Sequence, residues 1–221
     1  MNGVIFDFNG TMFFDSDKHE KAWDIYLKNL CKRKITKEEF KEFVHGRNSS
    51  FIIEHFTGRK LSKDTLMKMS DEKEAVYRDL CLKDMNNFCL VKGLGEFLNY
   101  LKKENIKVNI ATASNKDNID FYFERFNLGK WFDYNKVVYD NGTLPGKPSP
   151  DIYLKAADNI GINPGDCVVF EDAISGVKSA YNGGFGKIVV IAGEKDKDYF
   201  YDTGMVDKVI SDFTDLKHYI Y

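Results

Sequence analysis

Four short stretches hold the residue types that chemistry on an anionic substrate would need. Asp7-Phe8-Asn9-Gly10-Thr11 offers a carboxylate, and Thr112-Ala113-Ser114-Asn115 offers hydroxyls. Gly146-Lys147-Pro148-Ser149-Pro150-Asp151 offers an ammonium, and Glu171-Asp172-Ala173-Ile174-Ser175-Gly176 opens on a carboxylate pair. Together they suit phosphoryl transfer. A phosphate ester is anionic, so a carboxylate nucleophile can approach it only where cations screen the charge. Mg²⁺ held by oxygen ligands, with Lys147 beside it, would supply that screening. Hydroxyls and backbone N–H groups would hold the non-bridging oxygens in line, and carboxylate nucleophiles do form aspartyl-phosphate intermediates.

Each stretch follows or lies just beyond a short apolar run: Val4-Ile5-Phe6, Val108-Asn109-Ile110-Ala111, Val137-Val138-Tyr139 and Val168-Val169-Phe170. A fifth run is Ile188-Val189-Val190-Ile191, and Val206–Phe213 reads as a last edge strand. β-Branched runs with almost no alternation are expected of strands buried on both faces of a parallel sheet. Helical spacing appears between them, in Leu94, Phe97, Leu98 and Leu101, in Ile119, Phe123 and Phe126, and in Ile152, Leu154, Ala156 and Ile160 before Gly161. Strands alternating with helices imply an α/β fold with a doubly wound, mostly parallel sheet. Ligands then bind outside the carboxyl ends of the strands.

Residues 15–88 read differently, with amphipathic helices and no convincing buried strand. Ala22, Trp23, Tyr26, Leu27 and Leu30 line one face, and Thr36-Lys37-Glu38-Glu39 has capping-box spacing. Ser49 is placed to cap a helix carrying Ile52, Ile53 and Phe56, and Ser70 another carrying Ala75, Val76 and Leu80. The expected organisation is an α/β core of residues 1–14 and 89–221, with an all-helical unit, 15–88, inserted after the first strand. The two crossings would form a hinge.

The 221 residues, 43% apolar and 30% charged, are ordinary for a globular protein and exclude disordered and collagen-like classes. Basic and acidic residues number 32 and 34 and are well mixed, so no block stands ready to track a nucleic acid. No apolar run reaches the roughly 18 residues that span a bilayer. Cys31, Cys81, Cys89 and Cys167 form no CxxC, and the opening Met1–Phe6 is too short and uncharged for a secretory signal. The expectation is a cytoplasmic protein with reduced, packing cysteines, no nucleic-acid or membrane partner, and a monomeric or weakly dimeric state. His45, His55 and His218 show no ligand spacing and are expected to be structural.

At these four stretches, taken in order, the chain resembles the haloacid dehalogenase superfamily, over nearly its whole length. Its helical insert resembles the cap of the branch that contains phosphoglycolate phosphatases and β-phosphoglucomutase. The resemblance implies a Mg²⁺-dependent phosphatase acting on a small phosphorylated metabolite. Asp7 would be nucleophile and metal ligand, Asn9 would offer its backbone carbonyl to the metal, and Asp172 would ligate it with Glu171 beside it as ligand or supporting partner. Thr112, Ala113, Ser114 and Lys147 would bind the phosphoryl group, and Lys147 would also steady Asp7. In the helical unit, His19, Lys73 and Arg47, the last within a Gly46-Arg47-Asn48-Ser49 specificity loop, would reach the substrate. A phosphomutase like β-phosphoglucomutase is the enzyme alternative, and a phosphate-binding homologue without turnover is the non-catalytic one.

The pattern departs from the family at two places. Phosphatases and mutases of the family carry Asp two residues after the nucleophile, where this chain has Asn9. The missing carboxylate would protonate the leaving alkoxide and later activate water, work worth ~10²–10⁴-fold in rate. Three readings follow: a substitution that traps a bound state, a proton path rerouted through His19 or the substrate, or lost turnover with binding retained. The family also places Asp before a Ser five residues past that position. Here Phe14 stands there, and Asp15-Ser16 comes one step later.

Overall fold

The structure, a computed structural model, describes residues 1–44, 47–214 and 216. His45, Gly46 and His218 lie outside the described residues. In chain order, β1 (Gly3–Phe6) precedes four helices: α1 (Ser16–Cys31), α2 (Lys37–Phe43), α3 (Ser49–Thr57) and α4 (Lys63–Lys83). Then come α5 (Leu94–Lys103), β2 (Lys107–Ile110), α6 (Lys116–Phe126), α7 (Asp151–Ile160) and β3 (Cys167–Glu171). The chain continues through α8 (Ile174–Asn182), β4 (Lys187–Ile191), α9 (Lys197–Tyr201) and β5 (Lys208–Ile210). It divides into two compact units, Met1–Phe14 with Cys89–Tyr221, and Asp15–Phe88.

In the first unit the strands form one sheet in the order β2-β1-β3-β4-β5, with every pairing parallel. All residues of β1 and β3 are buried, as apolar runs covered on both faces must be. One face, through Ile5, Val169 and Val190, packs with Ile152, Ala156 and Ile160 of α7 and Val177 of α8. On the other, Phe6 stacks on Phe170 at 5.1 Å between centroids and meets Phe97, Phe132 and Phe213 edge-on or tilted. These separations lie in the favourable range for aromatic pairs.

Three sequence expectations change here. Val137-Val138-Tyr139 is not a strand of its own. Val138 forms one bridge with Ala111, through Val138 N to Ile110 O at 3.0 Å and Thr112 N to Val138 O at 3.0 Å. A 3₁₀ turn at Tyr134–Lys136 ends just before this run, which leaves room for only a single bridge. Leu154 faces outward on α7, because a residue two positions from Ile152 and Ala156 lies on the opposite helix face. Cys81 and Cys167 are buried packing residues, whereas Cys89 is exposed.

The regular elements among the second unit's described residues are all helices. Trp23, Tyr26, Leu27, Phe40, Val44, Ile52 and Ile53 form its core. Thr36 and Glu39 make the reciprocal capping box that opens α2. Asn48, not Ser49, caps α3 by accepting from Phe51 N at 2.8 Å, since Asn is as good a cap as Ser and stands one residue earlier. Ser70 is not a cap: it lies inside α4, which starts at Lys63 with Ser62 as its cap. Among the described residues, no helix is long and apolar enough to cross a membrane.

Candidate active site

A sheet ordered 2-1-3-4-5 reverses its winding direction between β1 and β3, and the crevice for a ligand opens at their carboxyl ends. Asp7 follows β1 directly, and Glu171 ends β3. Phe6 pairs with Phe170, and Asp7 N donates to Phe170 O at 2.9 Å. The two carboxylates therefore emerge side by side because the strands that carry them are neighbours in register.

Lys147 bridges them. Its Nζ donates to Asp7 Oδ1 at 2.6 Å and to Glu171 Oε1 at 2.6 Å, with the side chain only 10% exposed. Burial pushes the ammonium toward losing its proton, but Asp7 and Glu171 outweigh it and hold the pKa above its ordinary value. Glu171 is likewise buried, which raises its pKa, yet Lys147 and the N–H of Ala173 bring it below the ordinary range. Both groups are thus charged. Tyr153, on the first turn of α7, lies beneath Lys147 with its ring centroid 4.8 Å from Nζ. Its hydroxyl donates to Glu171 Oε1 at 2.7 Å and accepts from Nζ at 3.0 Å. Burial and then the Glu171 charge raise its pKa well above normal, so it stays a phenol.

Asp172 completes the acidic group: one oxygen each of Asp7, Glu171 and Asp172 lies within 4.8 Å of the others. Two glycines make the space. Gly10 sits at φ +74, and a Cβ there would overlap the Asp172 carboxylate; a Cβ on Gly176 would overlap Glu171. The second Glu171 oxygen accepts from Asp172 N at 2.8 Å and Ala173 N at 2.9 Å. Thr11 Oγ1 donates to Asp172 at 3.4 Å. Lys147 meets two of these three carboxylates, and the donors gathered here are all oxygen. This set fits a hard divalent cation.

Thr112 and Ser114 follow β2, the neighbour of β1 on its other side. Both are buried, whereas Ala113 between them is exposed. Ser114 N donates to Thr112 Oγ1 at 3.2 Å, and Asn115 caps α6. These residues meet Asn9: Ser114 Oγ donates to Asn9 Oδ1 at 2.6 Å, and Thr112 Oγ1 lies 3.5 Å from it. Asn9 Nδ2 donates to Tyr122 OH at 2.9 Å, and the Tyr122 ring stacks on Phe8 with centroids 4.0 Å apart. Neither Tyr122 nor Tyr153 is singled out by the sequence motifs. A buried tyrosine needs a partner for its hydroxyl, and that rule is the one signal that could have pointed to them.

The structure thus brings Asp7, Asn9, Thr112, Ser114, Lys147, Glu171 and Asp172 together at the ends of three adjacent strands. His19 and Lys73 of the helical unit join each other instead. Lys73 Nζ donates to His19 Nδ1 at 2.9 Å and to Glu74 at 2.8 Å, and Lys73 is 2% exposed. Arg47 is exposed; its Nε donates to Glu42 O at 3.4 Å and its guanidinium lies 5.0 Å from the Phe51 ring centroid. Asp15, one step past its expected place, is fully buried and accepts from the Tyr77 hydroxyl.

Comparison with known proteins agrees with this geometry. A curated phosphatase of phosphorylated carbohydrates from Thermotoga maritima is 31% identical over 85% of this chain and 84% of its own. A β-phosphoglucomutase from Bacillus subtilis is 29% identical over 88% and 85%. Among solved structures, a family IA HAD hydrolase from Entamoeba histolytica superposes with a TM-score of 0.89 at 35% identity, covering 96% of this chain and 94% of that one. The family model for haloacid dehalogenase-like hydrolases matches residues 1–184, and the chain belongs to that family.

Proposed function

We propose that the protein is a Mg²⁺-dependent phosphohydrolase that acts on a small phosphorylated metabolite through an aspartyl phosphate at Asp7. The observation that carries this reading is the set Asp7–Lys147–Glu171–Asp172 at the β1/β3 crevice, with its three carboxylates gathered within 4.8 Å. Asp7, Glu171, Asp172 and the backbone carbonyl of Asn9 would hold the cation, which when bound would screen the substrate's charge and polarise its oxygens. Lys147 holds one Asp7 oxygen at 2.6 Å, and would also meet a phosphoryl oxygen. Thr112 and Ser114 would present hydroxyls to the phosphoryl group, and the exposed Ala113 its backbone. Tyr153 holds Lys147 and Glu171 in place without giving up its proton.

The helical unit, residues 15–88, would act as a cap, and its His19, Arg47 and Lys73 would serve the substrate. The exposure of Arg47 supports this, and the His19–Lys73 hydrogen bond means that those two would act together. The protein would work in a reducing, cytoplasmic setting as a monomer or weak dimer. The Bacillus subtilis mutase, aligned over most of both chains, favours a phosphomutase as the second reading.

The test is phosphate release from p-nitrophenyl phosphate and a panel of small sugar phosphates, with Mg²⁺ or with EDTA. Release that requires Mg²⁺ supports the reading, and isomerised sugar phosphate without release would favour the mutase. Hydrolysis indifferent to EDTA contradicts the metal assignment.

A further inference from the structure

A cluster inside the helical unit decides what His19 can do for a substrate. His19 and Trp23 stand four residues apart on α1, and Lys73 and Tyr77 four apart on α4, so each pair lines one face of its helix. The two faces meet. The His19 ring stacks on Tyr77 at 3.9 Å between centroids and 8° between planes, and Lys73 Nζ lies 5.1 Å from the Trp23 ring centroid. Asp15, just before α1, accepts from the Tyr77 hydroxyl, and its Oδ2 lies 3.5 Å from His19 Nε2. Asp15 and Tyr77 are fully buried, so groups packed in the interior set the plane of the ring.

On the other side of the ring, Lys73 Nζ lies 2.9 Å from His19 Nδ1 and 2.8 Å from Glu74 Oε1. An ammonium has three donors and no acceptor. The bond to Nδ1 therefore needs a lone pair there, which leaves the ring's proton on Nε2, the nitrogen on the Asp15 side. This follows from that one bond, whatever else the ring meets. A histidine that relays protons takes one at a ring nitrogen and gives one up at the other. Here Lys73 closes Nδ1, and the ring is left with an N–H to offer. Exposure separates the pair further: 26% of the His19 side chain is open, against 3% of Lys73.

We propose that His19 serves the substrate as a hydrogen-bond donor through Nε2–H, not as a proton relay, and that Lys73 is a positioning residue that acts through His19. The proposal deepens the phosphohydrolase reading and rests on it for the substrate. Asp15 and Tyr77 position the same ring. This gives a use to an aspartate that stands one step past its expected place: four residues before His19, it faces the ring across one helical turn.

The experiment uses the full chain. Long-range ¹H–¹⁵N correlation spectra of the histidine rings report which nitrogen carries the proton, and His19→Asn identifies the His19 signals. The expected result is a protonated Nε2 and an unprotonated Nδ1 in the unaltered chain, with the Nδ1 resonance displaced in Lys73→Met. Then kcat/KM, with Mg²⁺ and the best-hydrolysed member of the sugar-phosphate panel, is compared in His19→Asn, Lys73→Met and the double variant. Each single change should cost about tenfold or more, and the double variant should lose no more than about twofold beyond His19→Asn. Losses that multiply would overturn the proposal, because Lys73 would then meet the substrate itself. A proton on Nδ1 in the unaltered chain would overturn it even if every variant failed to fold, and Mg²⁺-dependent hydrolysis would then leave the phosphohydrolase reading standing. If the unaltered chain releases phosphate from no donor, that reading fails and the proposed role of His19 fails with it, whatever the spectra show.

Discussion

Each unit of this protein buries a lysine among carboxylates and a tyrosine, and the two clusters differ in how those carboxylates are placed. In the helical unit, Lys73 meets one carboxylate, Glu74, and the His19 ring, with Nζ 5.1 Å from the Trp23 ring centroid and 5.8 Å from that of Tyr77. Asp15 receives the Tyr77 hydroxyl. In the α/β unit, Lys147 stands against Asp7 and Glu171, with Asp172 alongside. The first cluster gives each carboxylate separate partners, Glu74 with Lys73 and Asp15 with Tyr77 and the His19 ring, and ties α1 to α4. The second gathers one oxygen from each of three carboxylates within 4.8 Å of one another, and it sits where the winding of the sheet leaves a crevice. Carboxylates dispersed among partners pin a fold; three gathered at one point suit a further cation.

Removing either lysine separates the two cases. Lys147→Met leaves the buried Asp7 and Glu171 charges facing each other, a loss of about 3–5 kcal/mol when one partner of a buried pair is removed. Chemical denaturation in EDTA should show that loss, and Mg²⁺ should restore part of it, because three carboxylates then face the cation alone. Lys73→Met should lose stability as well, but with the same Mg²⁺ increment as the unaltered chain. Equal Mg²⁺ increments in both variants would contradict the distinction.

A smaller effect is expected at the two tyrosines. Tyr153→Phe deletes a hydroxyl bonded to both Lys147 and Glu171, and Tyr77→Phe deletes one bonded to Asp15. Each should cost about 1–3 kcal/mol in denaturation, as lost hydrogen bonds to charged groups do. Only Tyr153→Phe should also shift the Mg²⁺ midpoint.

The smallest expected effect concerns pH. The Arg33 guanidinium, then the Thr36 N–H, holds the Glu39 carboxyl down to about 2 from an ordinary 4.5. A lowered folded-state pKa gives stability that is complete above the ordinary value and fades as pH falls through about 2. A carboxyl NMR titration should show Glu39 ionised to about 2 in the folded chain, and Arg33→Ala should return it toward 4.5. A Glu39 titration unchanged by that substitution would contradict the pairing.

Much of this was legible in the sequence, for identifiable reasons. Runs such as Val4–Phe6 and Val168–Phe170 announce buried parallel strands, and the residues at their ends had to converge once the strands became neighbours. The capping box at Thr36 is local, and so was readable. Contacts across long sequence separations were not: Tyr153 with Glu171, and Tyr122 with Asn9, depend on how α7 and α6 dock on the sheet. Boundaries also slipped where two residues compete for one role, as Asn48 and Ser49 do. Val137–Tyr139 has the composition of a strand but lies at the end of β2, with room for a single bridge.

The most direct test of the account is release of p-nitrophenolate from p-nitrophenyl phosphate by the unaltered chain and by Asp7→Asn, with Mg²⁺ titrated from zero. The account predicts release that rises with Mg²⁺ and falls by about 10⁴-fold or more in Asp7→Asn, the scale seen when a nucleophile is removed. Release that persists in Asp7→Asn, or that ignores Mg²⁺, would contradict it.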